Sequence, residues 1–127
     1  MERHVTTTAD APAAVGPYSQ AIRSGDFVYT AGQLGLDPAT GKLVAGGIQA
    51  QTRQTLENIR VILEAAGSSL DLAVATTVYL VHINDFQAMN EVYATYFTVD
   101  PPGRTTVAVS ALPAGALVEI QCTALAP

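Results

Sequence analysis

The 127-residue chain has no tryptophan, a single cysteine, two histidines and only 13% charged residues. With Cys122 alone, no intrachain disulfide is possible, and its place on the apolar side of a predicted strand marks it as a buried, inert thiol. His4 and His82 lie far apart, with no cysteine or carboxylate at ligand spacing, so no metal site is expected. Basic residues are scarce: six Lys and Arg stand against eleven Asp and Glu, a net charge of -5. A nucleic-acid binder carries a basic stripe to neutralise phosphates, and none is visible, so no nucleic-acid partner is expected. No segment approaches the run of about 18 apolar residues that a membrane helix needs, and MERHVTTTADAP lacks an apolar leader. The expectation is a soluble cytoplasmic protein with no membrane partner. Motifs for a serine nucleophile elbow, a phosphate-binding P-loop and a dinucleotide-binding glycine turn are also missing.

Hydrophobic residues, by contrast, make up 49% of the chain. So few charges are hard to reconcile with a fully wetted monomer and favour a surface that meets another subunit. The length fits one domain, residues 1–127. His4 to Thr7 reads as a short strand. The segment YSQAIRSGDFVYTAGQLG holds two extended runs around a Ser24-Gly25-Asp26 turn, and DPATGK, from Asp37 to Lys42, is a second turn. Ile48, Thr52, Leu56, Ile59, Leu63 and Ala66 recur at helical spacing, with Gly67 as the stop. On the wet side of that helix Arg53 can pair with Glu57, and Arg60 with Glu64. Leu72 to Ile83 reads as a central strand covered on both faces. Asn84 or Asp85 then caps a second helix bearing Phe86, Met89, Tyr93 and Tyr96 as core aromatics and aliphatics. The order β-β-β-α-β-α-β-β describes an α+β domain, a mixed six-stranded sheet with two helices on one face.

The last quarter, Pro101 to Ala124, carries the chemistry. It reads as two strands joined at Pro113 to Gly115. Strand alternation puts Val107, Val109, Val118, Ile120 and Cys122 on one face, and Arg104, Thr106, Glu119 and Gln121 on the other. Arg104 would then stand near Glu119. The pair is either a surface ion pair or a site in which a guanidinium forks a carboxylate and a glutamate orients water. Tyr18, after Gly-Pro, is either loop packing or a substrate donor, and Asn90 either an exposed helix residue or a pocket residue.

With those residues in view, the chain resembles the RidA/YjgF reactive intermediate deaminase family along essentially its whole length. The resemblance is carried by APAAVGPYSQA, YTAGQLGLDPATG, QAQTRQTLENIRVILEAAGSSL, NDFQAMNEVYATYF, PPGRTTVAVSALP and VEIQCTA, in that order. It implies a chorismate-mutase-like fold, a homotrimer with sheets packed into a central barrel, and sites between subunits. It also implies cofactor-independent hydrolysis of small enamino and imino acids, such as 2-aminoacrylate, to 2-oxo acids and ammonia. The substrate-holding arginine of the family falls on Arg104 and its water-orienting glutamate on Glu119. Its tyrosine falls on Tyr18, its helix asparagine on Asn90, and its pocket turn on Gly32 and Gln33. The chain departs from the pattern at Ala31, where many members have serine, and at Thr106, where many have cysteine. The family also carries an endoribonuclease label, and a non-catalytic carboxylate-binding or chaperone-like trimer, or a pathway accessory protein, is the other alternative.

Overall fold

The computed structural model describes residues 2–127, and Met1 lies outside them. The strands are β1 (His4–Thr6), β2 (Ala21–Ser24), β3 (Phe27–Thr30), β4 (Gln33–Leu34), β5 (Ala73–Leu80), β6 (Gly103–Ala108) and β7 (Val118–Leu125). Helix α1 spans Gly47–Ala65 and α2 spans Phe86–Tyr96. The two-residue β4 is the strand that periodicity does not reveal, which makes the mixed sheet seven-stranded rather than six-stranded. Its order is β1-β2-β3-β7-β5-β6, with β4 pairing β7. Only β5 and β6 run parallel, and α2 supplies the crossover that a parallel pair requires.

Two expectations are corrected here. The last two strands do not form a hairpin, because β5 lies between them, bonded to β6 on one side and to β7 on the other. The segment from Val109 to Leu117 is too long for a tight turn and instead follows the end of β5: Val109 N–H donates to the Leu80 carbonyl, and Val81 N–H to that of Leu117. Strand β5 is also not covered on both faces. Thr76, Val78 and Leu80 are buried, whereas Ala75 is exposed and Thr77 and Tyr79 are partly open.

The helices cover one face. Leu56, Ile59, Ile62 and Leu63 of α1 are fully buried with Val28, Val78, Leu80, Val118 and Ile120 of the sheet. Each such side chain contributes roughly 1.5–3 kcal/mol through removal from water. Gly67 ends the first helical region at φ 82°, a left-handed conformation that favours glycine. Arg60 bonds Glu57 at 2.8 Å and Glu64 at 3.1 Å. Glu57 takes no Arg53 partner; it accepts instead from Arg60 and from the Tyr96 hydroxyl at 2.8 Å, which ties α1 to α2. The opposite sheet face carries no helix. Val5, Ile22, Tyr29, Leu125 and Val107 lie there, and Glu119 is the only charged residue the strands place on it. No helix among the described residues is long and apolar enough to cross a membrane.

Polar residues on the buried side of α1 do a second job. Asn58, 1% exposed, donates to the carbonyls of Leu34 at 3.0 Å and Leu36 at 2.9 Å, and accepts from Gln54 at 2.8 Å. Gln51 accepts from Leu117 N–H at 2.8 Å. The helix therefore pins β4, which pairs with Glu119, and the backbone just ahead of β7. Asn58→Ala should leave two carbonyls without their donor and cost about 1–3 kcal/mol, lowering Tm by several degrees in thermal denaturation. An unchanged Tm would contradict this role.

Candidate functional site

Glu119 projects from β7 on the open face, in register with Leu34 and Tyr79. Its carboxylate packs over Gly32, where a Cβ would collide with the carboxylate oxygen and stand 2.8 Å from Cδ. A side chain there would force the flexible end of Glu119 to move, and backbone strain has no part in it. Burial pushes the Glu119 carboxyl above the ordinary glutamate range. The group faces a cavity of about 710 Å³ lined by Tyr18, Ala31, Gly32, Leu36 and Pro113 among others. Glu119 is the only charged residue in that lining.

Two loops form the cavity wall, and both are anchored. Gln20, buried, accepts from Thr8 N–H at 2.8 Å and donates to the carbonyls of Thr8 at 3.1 Å and Pro12 at 2.8 Å. Tyr18 is half exposed, and its hydroxyl accepts from Val15 N–H at 3.4 Å. The Asp37–Lys42 turn forms as expected, closed by Asp37 N–H donating to the Lys42 carbonyl at 2.8 Å.

Arg104 sits elsewhere. It is in register with Thr76, which in turn is in register with Cys122, so it points to the helix-covered face. The expectation that Arg104 and Thr106 share a face with Glu119 is therefore corrected: it placed Val107 on the core side with Ile120, whereas the register puts Val107 with Tyr79 and Glu119 on the bare face. Arg104 lines a second cavity of about 320 Å³ with Asn90, Tyr93, Phe97, Pro101 and Pro102. Its guanidinium carbon lies 4.6 Å from the Tyr93 ring centroid and 5.5 Å from that of Phe86. Ion pairs among the described residues involve only Glu2 with His4 and Arg60 with Glu57 and Glu64, so Arg104 and Glu119 both lack one. The Asn90 side-chain oxygen and the Thr106 hydroxyl are buried without a hydrogen-bond partner. Buried polar atoms are rarely left so.

The chain thus places these residues at two separate cavities: Glu119, Tyr18, Ala31 and Gly32 at one, Arg104 and Asn90 at the other. Sequence reasoning missed the anchors Gln20, Gln51 and Asn58. The signal available was polar residues at helical spacing, Gln51, Thr55 and Asn58, beside the apolar stripe of α1. Cys122 is fully buried, and burial pushes its thiol up to about 12, as suits an inert core group.

A mixed sheet backed on one side by two helices, with a lone carboxylate on the bare side and an arginine at the edge strand, defines a small α+β protein. The family described as endoribonuclease L-PSP matches residues 8–126. A RutC family protein of Pyrococcus horikoshii is 53% identical over 96% of this chain and 97% of its own. The human 2-iminobutanoate/2-iminopropanoate deaminase is 46% identical over 97% and 90%. Among solved structures, Escherichia coli TdcF with bound serine superposes with a TM-score of 0.92 at 38% identity, covering 96% of this chain and 98% of that one. The chain belongs to the RidA/YjgF family.

Gly32→Ala should drive the Glu119 carboxylate toward solvent. In a carbon-detected NMR titration the Glu119 midpoint is expected above the ordinary glutamate range in the wild type and lower in the variant. An unchanged midpoint would contradict the close packing of the two residues.

Proposed function

We propose that the protein hydrolyses small enamino and imino acids of the 2-aminoacrylate type to 2-oxo acids and ammonia, in sites completed between subunits of a cytoplasmic homotrimer. The observation that carries this reading is that Arg104 and Glu119 each face a cavity without an ion-pair partner among the described residues. The bare, nearly uncharged sheet face supports association with further copies of the chain. The deaminase name of the human relative and the amino acid bound to TdcF support the substrate class.

In this reading Arg104 of one subunit forks the substrate carboxylate, and Glu119 of its neighbour orients a water toward the C=N carbon. The water oxygen bonds to that carbon while its proton passes to Glu119. The resulting carbinolamine takes that proton back on nitrogen, and as the C–N bond breaks to release ammonia its hydroxyl proton passes to Glu119, leaving the 2-oxo acid. Imines already hydrolyse in water, so positioning and electrostatics suffice and the chemistry calls for no cofactor. Burial makes Glu119 a stronger base than a solvated glutamate, and an approaching guanidinium keeps it ionised. Tyr18, the Gly32 backbone and Asn90 would contact the rest of the substrate. Ala31 leaves the pocket wall without a hydroxyl, and Thr106 supplies one on the Arg104 strand.

Endoribonuclease activity, named in the family description, suits this chain less well, since it has six basic residues against eleven acidic ones. A purely carboxylate-binding trimer would need the arginine but not the glutamate. The test is ammonia release from imino acids generated by an amino-acid oxidase. Arg104→Ala is expected to lower turnover about 100-fold or more with the assembly intact. A fully active variant would overturn the reading.

A further inference from the structure

Arg104 has no carboxylate to hold it, yet a guanidinium that grips a substrate must be held in one orientation. Its neighbours are aromatic: Tyr93 with its centroid 4.6 Å from the guanidinium carbon and Phe86 at 5.5 Å. Tyr93 is itself fixed. Its hydroxyl shares a 2.7 Å hydrogen bond with Thr76 Oγ1, and its ring packs on Phe97 at 4.6 Å between centroids. Phe86 opens α2 and is 39% exposed.

A ring attracts the guanidinium through its π-face and takes up none of the N–H donors along the guanidinium edge. A carboxylate neighbour would hold the side chain as firmly but would occupy those donors. We infer that Tyr93 and Phe86 are positioning residues, aromatic supports that orient Arg104 while leaving its edge free to fork a substrate carboxylate. This rests on the reading of Arg104 as the carboxylate grip. Thr76, the strand residue in register with Arg104, bonds the hydroxyl of the same ring.

The test uses the intact protein, with 2-oxobutanoate binding measured by calorimetry and imine turnover in parallel. Phe86→Leu and Tyr93→Leu are each expected to raise Kd and KM about five- to tenfold, with kcat changed less than about twofold. Tyr93→Phe, which keeps the ring, is expected to bind within about twofold of wild type. Phe86→Leu alters a partly exposed residue and so keeps the test valid should Tyr93→Leu fold poorly. Wild-type affinity in the folded leucine variants, a loss confined to kcat, or an equal loss in Tyr93→Phe and Tyr93→Leu would overturn the inference. Arg104→Ala run alongside separates the two levels. If it binds as wild type does, or if wild type binds no 2-oxo acid, the carboxylate reading fails and this inference with it.

Discussion

Because β5 bonds to β6 along one edge and to β7 along the other, the three strands alternate faces in step, and their register puts Arg104 and Glu119 on opposite faces. Arg104 aligns with Thr76 toward the helices, and Glu119 aligns with Tyr79 toward the bare face. A single subunit therefore cannot use the two groups on one small molecule from the same side of its sheet. In the proposed reading, a second copy docked on the nearly uncharged face brings the missing group.

The scaffold spends buried polarity on holding each half in place. Asn58 and Gln51 reach from α1 to the strand beside Glu119 and to the backbone just ahead of its own strand, and Gln20 ties down the loop that carries Tyr18. These groups are buried and satisfied, so they stiffen the cavity wall without leaving unpaired donors in the core. Arg104 is held by a different device, two aromatic rings, which suits a group whose donors must stay available.

Much of the fold was legible in the residues. The apolar stripe from Ile48 to Ala66 marked α1, the β-branched run after Leu72 marked β5, and Asp85 marked the start of α2. Only the family resemblance set Gly32 in the pocket with Glu119, and the structure packs the two together. What alternation could not supply was strand order. Residues 104–109 and 118–122 have the same pattern whether they pair with each other or flank a third strand, and only long-range pairing decides which. The two-residue β4 is too short to show a period, and Tyr93 reads as a core aromatic because most of its surface is core.

The central claim is that each site draws its arginine from one subunit and its glutamate from another, and mixing inactive subunits tests it most directly. Arg104→Ala and Glu119→Gln chains, each inactive alone, are unfolded together in equal amounts, refolded and assayed for ammonia release. If neighbours share sites, random assembly restores an intact pair at about one site in four, so activity returns to about a quarter of the wild-type level. If the mixture assembles fully but stays as inactive as its components, the divided-site account is wrong.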